Sequence, residues 1–60
     1  MPMDMPSDDY MLLSVVNTKL RDEFISLEEL AAAEGAEAEE IRERLENIGY
    51  FYDRATNSFR

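Results

Sequence analysis

The chain contains only two glycines, Gly35 and Gly49, and each follows a run whose apolar residues recur with helical spacing. Glycine takes the left-handed backbone that commonly ends a helix without a Cβ penalty. The first run, Leu27, Leu30 and Ala31, closes at Gly35; the second, Ala38, Ile41, Leu45 and Ile48, closes at Gly49. At about 100° per residue, each set falls on one helix face. Two short amphipathic helices in succession therefore anchor any fold this chain can adopt.

Their starts are legible too. Ser26 followed by Glu29 is a capping box, in which each side chain serves the other residue's backbone N–H. Ile25, just before the cap, is placed to pack on Leu30 as a hydrophobic staple. These signals predict a helix over about residues 27–34. The next helix, about 38–48, has a weaker start. Glu37 is a poor cap, but Glu39 and Glu40 suit the positive end of the helix dipole.

Upstream, Ser7 can cap a helix over about 8–24, with Asp8 and Asp9 in its first turn. Leu13, Val16, Leu20 and Phe24 form its inner stripe; Leu12 flanks the stripe on one side, Asn17 and Tyr10 on the other. Residues 1–6 carry two prolines and no periodicity, and read as a flexible arm. After Gly49 the period shortens to that of a strand, so Tyr50 and Tyr52 point one way and Phe51 the other. A turn at 53–57 and a return strand at 58–60 make a hairpin over about 50–60. A two-stranded hairpin is marginal alone, so Tyr50, Tyr52 and Phe59 are expected to seal the helical core. Residues 24–26 could add a short third strand.

Sixty residues allow one domain, here 7–60, with a thin core. The expected core is Leu13, Val16, Leu20, Phe24, Leu27, Leu30, Ile41, Leu45, Ile48, Tyr50, Tyr52 and Phe59. There is no cysteine and no histidine, which removes disulfides, thiolate chemistry and the usual zinc ligands. The formal net charge is −8, so the chain repels nucleic acid and anionic membranes at long range and favours basic partners. The start MPMDMPSDD has neither the basic residues nor the apolar stretch of a secretory signal, and no apolar run approaches membrane-span length. A cytoplasmic location is the expectation.

Three helices followed by a hairpin is the element order of a reduced winged helix. Ala31, Gly35 and Ile41 also have helix-turn-helix spacing: a small residue for close approach, a glycine for the turn, a branched apolar residue to seat the next helix. The charges point away from DNA. Eight glutamates and two arginines lie between Glu28 and Glu46. With Ile41 inward, Glu39, Glu43 and Glu46 centre the outward face that a DNA-reading domain would place in the major groove. Carboxylates cannot neutralise phosphates. Arg42 and Arg44 have Glu46 and Glu40 one turn away as partners.

The segments MLLSVVNTKLRDEF, SLEEL, IGYFYD and NSFR carry a resemblance. Over residues 11–60 the chain resembles a small bacterial family catalogued as a domain of unknown function, DUF4250, whose members look like MLLS-x-VN-x-KLRD, then a serine-leucine helix start, then GY-x-YD and N-x-F. The first motif is rather specific and the others generic. The resemblance implies a compact helical domain and carries no activity, substrate or partner. This chain departs from the pattern at Phe51, where a polar residue is expected, and at 35–37, a less ordinary inter-helix turn.

Three surfaces are candidates for function. Glu39, Glu43 and Glu46 are either a contact face or a solvated one. Met11, Val15 and Phe51 are apolar residues outside the core stripes: singly exposed side chains, or a homodimer or partner interface. Ser14, Asn17 and Arg21 share one side of the first helix; Asn17 is either a structural asparagine bonded to the hairpin or the second helix's start, or a contact residue with the other two. Catalysis has little support. The carboxylates lie on charge-dense helices where water and arginines keep them ionised, and their regular spacing lacks the wrap of a calcium loop. No catalytic, cofactor or metal residue is assigned. The sequence thus predicts a non-catalytic module contacting a protein partner, with a DNA-binding regulator of winged-helix type as the alternative.

Overall fold

The computed structural model describes residues 5–60. Three helices, α1 (Asp9–Asp22), α2 (Leu27–Glu34) and α3 (Ala38–Glu46), precede two antiparallel strands, β1 (Tyr52–Asp53) and β2 (Ser58–Phe59). The fold is mainly α with a small C-terminal hairpin, the class expected. Residues 1–4 of the expected arm lie outside the described residues. Its last two residues are held: Met5 packs on the core, and the Pro6 carbonyl accepts a hydrogen bond from Arg44.

The helix ends follow local chemistry, with corrections. Asp8 rather than Ser7 caps α1, accepting from the N–H of Tyr10 at 2.8 Å and of Met11 at 3.4 Å. An aspartate adds its charge to the acceptor a cap supplies. The helix stops at Asp22, short of residue 24. The Phe24 N–H turns back to the Lys19 carbonyl at 3.0 Å, and Asn57 Nδ2 donates to the carbonyls of Leu20 (3.0 Å) and Phe24 (2.9 Å). The strand anticipated at 24–26 is not formed; the segment is a loop tied to the hairpin through Asn57.

At α2, Ser26 Oγ accepts from the Glu29 N–H at 3.1 Å, one of the two bonds of a capping box. Ile25 is 82% exposed, so the staple onto Leu30 is not made, and Leu30 is fully buried without it. Both glycines act as expected. Gly35 has φ 67°, with Ala36 N–H bonded to the Ala31 carbonyl at 2.9 Å and Gly35 N–H to Ala32 at 3.4 Å. Gly49 has φ 89°, with Tyr50 N–H bonded to Leu45 at 2.9 Å and Gly49 N–H to Glu46 at 3.0 Å. Each is a Schellman motif, which satisfies terminal carbonyls of the helix. Glu37 makes no side-chain cap at α3.

The core comprises Leu12, Val16 and Leu20 of α1, Leu27, Leu30 and Ala31 of α2, Ile41 and Leu45 of α3, and Phe59 of β2. Leu12 rather than Leu13 is fully buried. Leu12, Val16 and Leu20 form an i, i+4, i+8 ridge that meets α2, α3 and β2. Leu13, Phe24, Ile48, Tyr50 and Tyr52 pack on this centre from half-buried positions, so they border the core without filling it. The Tyr52 and Phe59 rings, paired across the hairpin, have centroids 5.4 Å apart. Among the described residues no helix is long and apolar enough to cross a membrane.

Candidate functional site

Helix α3 buries Ile41 and Leu45 and turns Glu39, Glu43 and Glu46 to solvent. The hairpin places Phe51 against this acidic face. Gly49 reverses the chain, and strand alternation then puts Tyr50 and Tyr52 toward the core and Phe51 outward, 57% exposed. Phe51 shares one shallow hollow with Glu43, Arg44, Glu46 and Asn47. A second runs between α3 and β1, reaching Leu27 and Glu28, and is lined by Glu39, Glu43, Glu46, Phe51 and Tyr52. Two groups that were separate in sequence thus become one surface.

That arrangement divides the anticipated apolar set. Met11 is 59% exposed and Val15 half-buried, both on α1. Neither lines the hollows that Phe51 shares with the glutamates. Val15 is partly covered because the buried ridge runs through Leu12, which rotates the inner face of α1 toward Val15. Ile25 is an exposed apolar residue that sequence reading had assigned to the staple.

Ser14, Asn17 and Arg21 do line one hollow, together with Thr18, Thr56, Asn57 and Ser58. Of the three candidates, Asn17 and Arg21 have their polar groups engaged internally. Asn17 Nδ2 donates to the Phe59 carbonyl at 3.1 Å, and its Oδ1 accepts from the Phe59 N–H at 2.8 Å. Arg21 binds Asp22 through Nε at 2.9 Å and Nη2 at 3.0 Å. That hydrogen-bonded pair raises the Arg21 pKa and lowers that of Asp22.

Asn57, the end of the turn in sequence, is a structural hub that no sequence pattern above singles out. Besides its two bonds to the end of α1, its Oδ1 accepts from the Tyr52 hydroxyl at 2.6 Å. Its backbone has φ 53°, a left-handed position that asparagine tolerates better than other side chains. An asparagine at the end of a tight turn was the available signal.

The basic residues are distributed among carboxylates. Lys19 lies 3.1 Å from Glu34 and 3.8 Å from Glu23, and its pKa is raised, mostly by the hydrogen bond to Glu34. Arg42 pairs with Glu39 and, at 3.8 Å, with Glu46. Arg44 does not use Glu40, as its spacing had suggested. Its Nε reaches Asp9 at 2.7 Å and joins α3 to the start of α1. Arg54 lies 3.6 Å from Glu28. Among the described residues no three carboxylates gather as a metal-holding group.

Comparison with curated proteins and with solved structures returned no match. A family model does match, and it covers residues 6–59, nearly all of the described fold and every candidate surface above. On that match the chain belongs to the family described as Domain of unknown function (DUF4250).

Proposed function

We propose that this chain is a non-catalytic protein-interaction module whose contact surface is the acidic face of α3 together with Phe51. What supports the reading is the position of Phe51: an aromatic ring, 57% exposed, set among Glu39, Glu43 and Glu46. An exposed aromatic within a charged rim is the usual anatomy of a contact patch, with the ring as anchor and the charges setting partner choice. The partner is a protein carrying basic residues around an apolar one.

The pairing of Lys19, Arg21, Arg42, Arg44 and Arg54 with carboxylates favours a protein over duplex DNA. A DNA-binding surface needs unpaired cations to displace counterions from phosphate. The test is a double charge reversal, Glu39→Lys with Glu43→Lys, in the full chain. Both positions are exposed, so circular dichroism should be unchanged while capture of a specific protein from native lysate is lost. Capture equal to that of the unaltered chain, or salt-steep binding to duplex DNA by the unaltered chain, overturns the proposal.

A further inference from the structure

One edge of the hairpin is closed by a side chain and the other is open. In an antiparallel ladder, alternate pairs turn their N–H and C=O away from the partner strand. Phe51 and Arg60 exchange both backbone bonds, at 3.0 and 2.9 Å. The neighbouring pair, Tyr52 with Phe59, is therefore of the outward kind. On the β2 side, Asn17 takes both outward groups of Phe59. On the β1 side, the hydroxyl of Tyr52 is bonded to Asn57, but its backbone N–H and C=O have no hydrogen-bond partner among the described residues.

That edge borders the groove of about 600 Å³ between β1 and α3, where Phe51 and the three glutamates stand. We infer that the β1 edge accepts an extended, lysine- or arginine-bearing segment of a partner protein as an added strand. Tyr52 supplies the main-chain bonds, Phe51 packs on the aliphatic stems of the segment's lysines or arginines, and Glu39, Glu43 and Glu46 meet their charged ends. The inference rests on the proposed use of the acidic face as a protein contact and adds the conformation of what binds there.

Strand addition takes its affinity from the main chain and its selectivity from alternate side chains. In an extended segment every second residue faces the same way, so basic residues at alternate positions reach α3 together. The surrounding charge decides the occupant. A second copy of this chain, also carrying −8, would bring carboxylates against carboxylates. Arg42 and Arg54 also line the groove, paired with Glu39 and Glu46 and with Glu28; all these groups are exposed, and such pairs part at little cost.

The test is a heptapeptide of alternating lysine and valine, titrated at low salt into the isotope-labelled full chain. The expected result is saturable shifts centred on Phe51, Tyr52 and Asp53, with slowed exchange of the Tyr52 amide. A peptide N-methylated at alternate residues, which keeps the charge but removes donors, should bind about tenfold more weakly, the loss of one good hydrogen bond. Phe51→Ser should weaken the parent peptide similarly without altering circular dichroism. Equal affinity for the methylated peptide, or shifts on the glutamates with unchanged Tyr52 exchange, overturns the added strand and leaves the acidic-face proposal standing. No binding at all also overturns it, while the acidic face is judged separately by the charge-reversal capture. A Tyr52 amide protected in the free chain, with a dimer in sedimentation, assigns the edge to a second copy and overturns the peptide.

Discussion

The side-chain amide of Asn17 closes a two-bond ring with the backbone of Phe59, donating at 3.1 Å and accepting at 2.8 Å. It does for β2 what a third strand would do, from the surface of a helix. A hairpin this short has little stability of its own. Asn17 fastens one side of it to α1, and Asn57 fastens its turn to the end of the same helix.

Asn17→Ala should therefore destabilise the domain by about 2–3 kcal/mol, because it leaves the N–H and C=O of the buried Phe59 unpaired. At about 4–8 °C per kcal/mol for a domain of this size, thermal melting would register the loss clearly. Asn17→Asp keeps the acceptor but sets a carboxylate against the Phe59 carbonyl, and should be no better at neutral pH.

Asn57 combines a left-handed backbone with three side-chain bonds, and two substitutions separate these. Asn57→Gly keeps the backbone and loses the bonds. Asn57→Ala loses both, and should be less stable than the glycine variant by about 1 kcal/mol. Urea denaturation of the pair checks the order; equal midpoints would mean the backbone position is unstrained.

The two ends of α3 invite opposite changes. Glu37→Ser supplies the side-chain cap that is missing and should stabilise by about 0.5–1 kcal/mol. Gly49→Ala meets no atom within 4 Å but must hold φ 89°, so its cost of about 1–2 kcal/mol is purely conformational. Melting temperatures should move up for the first and down for the second.

Leu12→Ala should be far more damaging than Leu13→Ala. Leu12 is wholly buried and Leu13 only half-buried. Removing a buried leucine costs about 2–5 kcal/mol, comparable with the whole stability of so small a core, about 3–5 kcal/mol. Circular dichroism at 25 °C should show the first variant largely unfolded and the second folded.

Asp22 should titrate below the ordinary aspartate value of 3.8, because Arg21 hydrogen-bonds its charged form. A lowered folded pKa contributes stability that is fully present above the ordinary value and is lost as pH falls through the lowered one. Side-chain carboxyl shifts measured against pH should show this, and Arg21→Ala should return the midpoint to the ordinary range. Both groups are exposed, so melting at neutral pH should barely change.

The helical count, the two glycine stops, the Ser26 cap and the outward glutamates of α3 were legible because each depends on residues within a turn or two of one another. The failures have physical causes. Ser7 and Asp8 are both good caps, and only the backbone path selects Asp8. Leu12 and Leu13 are the same residue type 100° apart on α1, and only the positions of α2, α3 and β2 decide which is enclosed. Arg44 had a plausible partner in Glu40 but reaches Asp9, on another helix.

By itself, then, the sequence determined the number of helices, the Ser26 cap, the two glycine stops and which face of α3 meets water, since period and capping act over a few residues. Tertiary structure alone decided what those elements share. It brought Asn17 to Phe59 across 42 positions, Asn57 to Phe24 across 33 and Arg44 to Asp9 across 35. It also set Phe51 among the glutamates rather than beside Met11 and Val15. Such contacts depend on how packed helices orient a hairpin in three dimensions, and no local pattern along the chain encodes that orientation.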